Sequence, residues 1–323
     1  MNLKQIFGAL FVAAFMLSLA AVPASAGSVG YKIGVQSGTT SDTYAAESLP
    51  NAVVHGFDTI DLALAALKQG DVQFVMGDLP TLKYYEAEAD SGVSVVASFG
   101  AEDFGIGVPL GESELLDAIN MALGEVISSG DYDAIFAVSF GNEIVVLTDD
   151  TDASTATVYP EDPTAGGKLD GILQDNGTIV FGSDTTYPPF ESLDEDGNCV
   201  GFDCDIADAI AGKLAAHYGL DNFSATMKTK TWDELLAFTY DDYDLTLSAM
   251  TKTVQRAEQT QFTRAYYSSK QGILGTSDSP AITGVDDLNT VVDVADEDEG
   301  GLPGLSLVVS AGALGAIGLR RRR

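Results

Sequence analysis

Arg256, in "TKTVQRAEQ", and Arg264 are the only arginines in the body of this 323-residue chain, since the other four end it at Arg320 to Arg323. A guanidinium is a planar fork of donors that meets a carboxylate in paired, charge-assisted bonds, so Arg256 suits an anionic ligand. The plainer reading is a surface residue on a helix over "VQRAEQ". Asp78 closes the apolar run "VQFVMGD". Crevices at the carboxyl ends of strands are where open α/β sheets take ligands, although Asp78 also suits the cap of a helix over "LPTLKYY", with Pro80 in its first turn. Tyr187 and Trp232, the single tryptophan, offer faces that bind apolar stems or cations, or that pack in a core. Asp184, ahead of Pro188, either meets a polar group or caps that turn. These groups suit binding better than catalysis. His55 and His217 are the only histidines, and no Ser-His-Asp or Cys-His set supplies a nucleophile with its base. No Cys/His cluster suits a transition metal, and no loop has the glycine spacing of a dinucleotide site. No cofactor is expected.

The net charge of −32 argues against nucleic acid as a partner, because phosphate binding needs clustered Lys and Arg. The acidic residues are scattered, as on a solvated, salt-tolerant surface. Residues 1–26 read as a signal peptide: Lys4, an apolar run, then "ASA" at Ala24 to Ala26. A short membrane anchor is the other reading. At the far end, 291–323 hold an acidic spacer, "LPG", an apolar stretch and four arginines. That stretch is short for a membrane span, and the arginines would remain cytoplasmic, leaving the body outside. The expected location is therefore extracellular, tethered to the cell surface. Cys199 and Cys204 sit in a predicted strand and near a predicted helix start. Extended backbone between them would hold their Cα atoms beyond the ~7 Å reach of a disulfide, so two buried thiols are expected.

These residues need a scaffold, and the body alternates strand and helix twice over. "YKIGVQ", "AVVHGF", "VQFVMGD", "VSVVASF" and "FGIGVP" read as strands between helical segments. A long helical stretch follows over "ESELLDAINMALGEVISSGDYDAIFAVSF", with Leu115, Ala118, Ile119 and Leu123 on one face. Residues 143–164, rich in Asp, Thr and Pro, read as a linker. Alternation then resumes from "KLDGILQD" to "GILGT". The class is α/β, with mostly parallel sheets.

The motifs "GSDTTYPPFE", "DEDGNCVGFDCDIADAIAGKL", "TWDELLAF", "YDLTLSAMTKTVQRAEQ", "KIGVQSGTTSDTYA", "ALAALKQGDVQFVMGDLPTLKYY" and "GDYDAIFAVSFG" together resemble the amino-acid class of type II periplasmic solute-binding proteins, receptors of ABC importers. In that family the order begins at the "YPPFE" strand; here that part comes second. The chain therefore resembles a circular permutant, which is plausible because domain termini often lie close together at the surface. A truncated tandem receptor that pairs with another chain is the competing reading. A monomer is expected, with a domain-swapped dimer as the alternative. The C-terminal segment resembles archaeal PGF-type sorting signals, with Leu305 after Pro303-Gly304 where Phe is usual; a simple tail anchor is the alternative.

The resemblance implies two lobes with the ligand in the cleft between them. One lobe would hold 27–104 completed by 270–290, and the other 105–142 with 165–269. It implies that Arg256 binds a ligand carboxylate, aided by Thr251 and Thr40, and that Asp78 holds the ammonium. Tyr187 and Trp232 would flank the side chain, Ser248 and Ala249 would form the floor, and Asp184 would meet a polar or cationic side chain. The implied function is capture of an amino acid for an ABC permease. The same fold also serves periplasmic dehydratases and sensory modules, which are the alternatives.

Overall fold

The computed structural model describes residues 28–141, 147, 158–174 and 177–293. Most of the expected signal peptide, most of the linker and the C-terminal segment beyond 293 lie outside the described residues. Gly30–Thr290 forms one compact unit. The short strands Ser28–Gly30 and Val291–Asp293 pair as a separate two-stranded sheet.

Two five-stranded sheets build the compact unit. The first has the order Val53–Phe57, Lys32–Gln36, Phe74–Asp78, Tyr267–Thr276, Val93–Phe104. Its first three strands are parallel, and the last two run antiparallel to each other. The second sheet has the order Ser224–Thr229, Thr178–Ser183, Leu245–Thr246, Gly107–Pro109, Thr260–Phe262. Each sheet thus takes strands from both sides of the region 142–157. The class is the α/β expected. Segments shaped by period and caps form the helices. Ile60–Gln69 buries Ile60, Ala63, Leu64 and Leu67 along one stripe, is capped by Thr59, whose side chain accepts from Leu62 N, and ends at Gly70 in the left-handed region. The strand after it, Phe74–Asp78, is buried throughout, as expected for a parallel strand covered on both faces.

The long antiparallel pair joins the two halves. Tyr267 lies opposite Phe104 and Thr276 opposite Val93, with bulges between Ser269 and Gln271 and between Ile273 and Leu274. Beyond Phe104 the chain passes to the second sheet, where Gly105 N donates to Met250 O at 3.0 Å. Phe104, Phe136, Phe140, Phe190, Phe202 and Tyr267 pack ring on ring at this crossing. Such edge and offset pairs add to the area they bury.

Four local expectations are corrected. The long helical stretch is two helices, Ser113–Ser129 and Asp131–Phe140, because Gly130 takes a φ of +88° between them. The strand over "VSVVASF" runs further than expected, as Val93–Phe104, and of "FGIGVP" only Gly107–Pro109 forms the next strand, in the other sheet. Only Arg256–Glu258 of "VQRAEQ" is helical, as a 3-10 turn. Cys199 and Cys204 form a disulfide with their Cα atoms 5.9 Å apart. Backbone between them is not extended: Gly201 turns the chain at φ +128°, and Phe202–Tyr218 begins at once. In the described end of the expected linker, 158–164, Tyr159 is buried and stacked on His217 at 3.8 Å. Among the described residues no helix is long and apolar enough to cross a membrane.

Candidate functional site

Arg256 is set by its own turn. Its N–H donates to Thr253 Oγ1 at 3.1 Å, and the guanidinium folds inward until the residue is 8% exposed. Nη1 donates to Thr251 O at 2.9 Å and Nη2 to Gly38 O at 3.3 Å, so the side chain reaches from one half of the molecule to the other. Its face lies 5.2 Å from the Trp232 ring, within cation–π range. Trp232 is placed by a full capping box, in which Thr231 and Glu234 satisfy each other's backbone N–H groups at the start of Trp232–Leu236. Gly38, at φ +73°, suits this approach, since a Cβ there would stand 2.8 Å from Leu236 Cδ1. Burial presses the Arg256 pKa down while Asp78 and Glu102 oppose that shift. Among the described residues no carboxylate stands within ion-pair distance of it.

Across the cavity, Asp78 ends its buried strand and occupies the N-cap position of Leu79–Ala87 without making a capping bond. Its carboxyl is used elsewhere. Tyr187 Oη donates to Oδ2 at 2.8 Å, and Gln271 Nε2 donates to Oδ1 at 2.6 Å. The same Gln271 amide nitrogen donates to Glu102 Oε2 at 2.7 Å, and Thr251 Oγ1 donates to that oxygen at 3.0 Å. Burial, then the charge of Glu102, pushes Asp78 up to about 8 against the pull of the Tyr187 and Gln271 bonds. Thr40 opens the helix Thr40–Ser48, whose cap Thr39 accepts from Asp42 N at 3.3 Å.

At the third side, Asp184 accepts from Gln36 Nε2 at 3.0 Å and from Thr186 Oγ1 at 2.8 Å. Burial raises its pKa, and these bonds resist. Asp184 N donates to Ser248 Oγ at 3.0 Å, and Ser248 Oγ donates to Glu191 Oε1 at 2.6 Å. Ala249 holds a φ of +42°, a strained conformation for a residue with a Cβ. Its N–H donates to Asp203 Oδ2 at 2.8 Å, which also accepts from Tyr266 Oη at 2.9 Å. A wholly buried acid pair, Glu191 and Asp203, therefore holds the floor. Burial and the neighbouring Asp203 push Glu191 well up; burial pushes Asp203 up to about 6.

Arg256, Asp78, Thr251, Thr40, Tyr187, Trp232, Asp184, Ser248 and Ala249 all line one cavity of about 330 Å³, together with Gln36 and Thr39. Arg256, which lines it, is bonded to Gly38, 218 positions away in the chain. Sequence reasoning passed over Gln36, Thr39, Glu102 and Gln271. Glu102 and Gln271 lie on the two crossing strands, 169 positions apart; their meeting follows from a strand register that no local pattern encodes. Gln36 had a weaker signal, a polar residue closing an otherwise buried strand.

Residues 179–313 match the family model of bacterial extracellular solute-binding proteins, family 3. The match is to the family 3 solute-binding class. Two curated relatives are similar over a shorter stretch. ABC transporter arginine-binding protein 1 of Escherichia coli (strain K12) is 32% identical over 102 residues, 31% of this chain and 39% of that protein. The arginine-binding extracellular protein ArtP of Bacillus subtilis is 33% identical over 115 residues, 35% of this chain and 42% of its own. The chain thus spans about two fifths of the length of these relatives. Among solved structures, the arginine-bound form of domain 1 from TmArgBP is 30% identical, with 34% of this chain and 85% of that chain covered and a TM-score of 0.28.

Proposed function

We propose that this chain is an extracellular receptor that captures a free amino acid with a polar or cationic side chain and presents it to an ABC importer. One observation carries the reading. A buried guanidinium without an ion-pair partner among the described residues, a buried carboxyl and two aromatic faces all line the same cavity. An α-amino acid answers each of them. Its carboxylate would take the fork of Arg256, helped by Thr40 and Thr251, through charge-assisted bonds. Its ammonium would meet Asp78. Its side chain would lie between Tyr187 and Trp232, toward Asp184, over the Ser248–Ala249 floor. A cationic end there supplies the charge that Asp184 lacks, and the names of the arginine-binding relatives support that class.

The chain acts as one permuted receptor in this reading. The family match begins at 179, yet strands between 32 and 109 complete both sheets. Bonds that cross the cleft, Gln36 to Asp184, Tyr187 to Asp78, Thr251 to Glu102 and Arg256 to Gly38, suit closure by a hinge at the two crossing strands. Capture, with no turnover, is the role proposed, from a monomer tethered outside the cell through 291–323. Equilibrium dialysis of the purified chain against each of the twenty amino acids tests this. Selective retention of L-arginine or another polar amino acid is expected. Retention of none, or conversion of added prephenate or arogenate into product, contradicts it.

A further inference from the structure

Glu191 and Asp203 are acids with no surface, each 0% exposed. Glu191 opens the strand Glu191–Leu193, and Asp203 stands in the first turn of Phe202–Tyr218. Ser248 Oγ donates to Glu191 Oε1 at 2.6 Å, while Ala249 N and Tyr266 Oη donate to Asp203 Oδ2 at 2.8 and 2.9 Å. The other two oxygens, Glu191 Oε2 and Asp203 Oδ1, are buried and receive no bond from a donor, yet the two side chains act directly on each other. Buried polar atoms without partners are rare, and here each acid carries one. The other titratable groups around the pair come from neighbouring elements. The charges that act on Glu191 are those of Asp203 and Asp184, and Tyr266 and Tyr132 both feel Asp203. Lys252, near in sequence, donates to Thr263 O at 2.8 Å and answers to the charge of Asp103. Lys83 is exposed on Leu79–Ala87.

Two negative charges this close and this deep repel strongly, and a single proton between them removes the conflict. We propose that Glu191 donates one proton from Oε2 to Oδ1 of Asp203, and that this buried bond positions the Ser248–Ala249 floor of the cavity. The bond satisfies both unpartnered oxygens at once, and the pair keeps one negative charge. That charge falls on Asp203, toward which Ala249 N–H and Tyr266 O–H already point. Glu191 is thus a positioning residue. It holds Ser248 Oγ, which takes the N–H of Asp184, and Asp203 holds Ala249 at its φ of +42°. Asp184, Ser248 and Ala249 all line the cavity. The shared proton stands on the buried geometry; only its consequence for binding rests on the amino-acid reading above. Burial and the charge of Asp203 push Glu191 well above the ordinary carboxyl range, against about 6 for Asp203, which agrees with a proton carried by Glu191. The sign of the linkage follows. Above the ordinary glutamate range the unfolded chain has lost this proton and the folded chain keeps it, so stability falls as pH rises toward the raised value.

Glu191→Gln tests this in the full chain, because it sets a neutral amide, with an N–H to replace the shared proton, where the protonated acid stood. Infrared spectra of the ligand-free protein at about pH 6.5 are expected to show a protonated-carboxyl band that persists in Asp78→Asn and is lost in Glu191→Gln. In denaturant unfolding between about pH 5.5 and 7.5, the folding equilibrium constant of the parent should fall more steeply than that of Glu191→Gln, by up to ~10-fold per pH unit. Glu191→Ala, which also cuts the tie to Ser248, should lower affinity for L-arginine at least ~10-fold in equilibrium dialysis, and Glu191→Gln should recover most of that loss. A Glu191→Gln chain that fails to fold, an infrared band unchanged by that substitution, or parallel stability profiles would each overturn the proposal. If parent and variants alike retain no arginine, the capture reading fails, and the infrared and unfolding results still decide the proton.

Discussion

Two pairs of carboxyls lie within the same molecule and differ in what surrounds them. Glu191 and Asp203 are wholly buried, and their partners are all the protein's own: Ser248 Oγ, Ala249 N and Tyr266 Oη. Of the other two, Asp78 lines the cavity, and one amide nitrogen of Gln271 joins it to Glu102. The first pair is a structural tie that holds the Ser248–Ala249 turn. Of the second pair, Asp78 faces the space in which a ligand would stand. Like-charge crowding is costly, and of these acids Asp78 is one that a cation in the cavity would reach. The comparison separates residues that shape the cleft from residues that would read its contents.

Breaking the sealed pair should give the largest effect. Asp203→Ala leaves Ala249 N–H and Tyr266 Oη without their acceptor, and is expected to cost about 3–5 kcal/mol of stability in denaturant unfolding. Asp78→Asn is the counterpart. It should lower affinity for L-arginine at least ~100-fold in equilibrium dialysis at pH 7.5, with little loss of stability, because truncating one side of a buried charge contact costs about 2–5 kcal/mol. If Asp78→Asn mainly unfolds the protein and Asp203→Ala mainly weakens binding, the division is wrong.

Cys199→Ser probes the same boundary from outside. The bond to Cys204 fastens the helix turn that carries Asp203, and closing so short a loop is worth about 2 kcal/mol. A drop of that size in denaturant unfolding, with arginine affinity kept, is expected. The smallest effect per step comes from pH. Asp78 sits above its ordinary value, so between about pH 4 and 8 the folded, ligand-free chain binds more protons than the unfolded one. Stability should then fall as pH rises, with Asp78 alone contributing up to about 1.4 kcal/mol per unit. Saturating L-arginine should flatten the profile, and a stability that rises over this window contradicts the sign.

Much of the site was legible in the sequence, because residue type and motif neighbourhood carried it. Arg256 stood out in an arginine-poor body, and Asp78 stood at the end of an apolar strand. The residues passed over share a different cause. Glu102 and Gln271 meet only through the register of Val93–Phe104 with Tyr267–Thr276 and a bulge beside Gln271. Cys199 and Cys204 bond because Gly201 bends a backbone that local reasoning drew as straight. Alternation exposed the α/β class and the elements around the cleft. It did not expose the break at Gly130, since a left-handed glycine interrupts a helix without disturbing its apolar period.

The central claim is that this cleft binds a free amino acid through Arg256. Thermal unfolding of the chain and of Arg256→Ala, each with and without the twenty amino acids, tests it most directly. A ligand at 100 times its Kd adds about 2.7 kcal/mol to stability, which should raise the Tm by roughly 5–10 °C at this size. The account predicts such a rise for L-arginine or a related polar amino acid in the parent chain, and none in Arg256→Ala. No rise with any amino acid, or an equal rise in the variant, would contradict it.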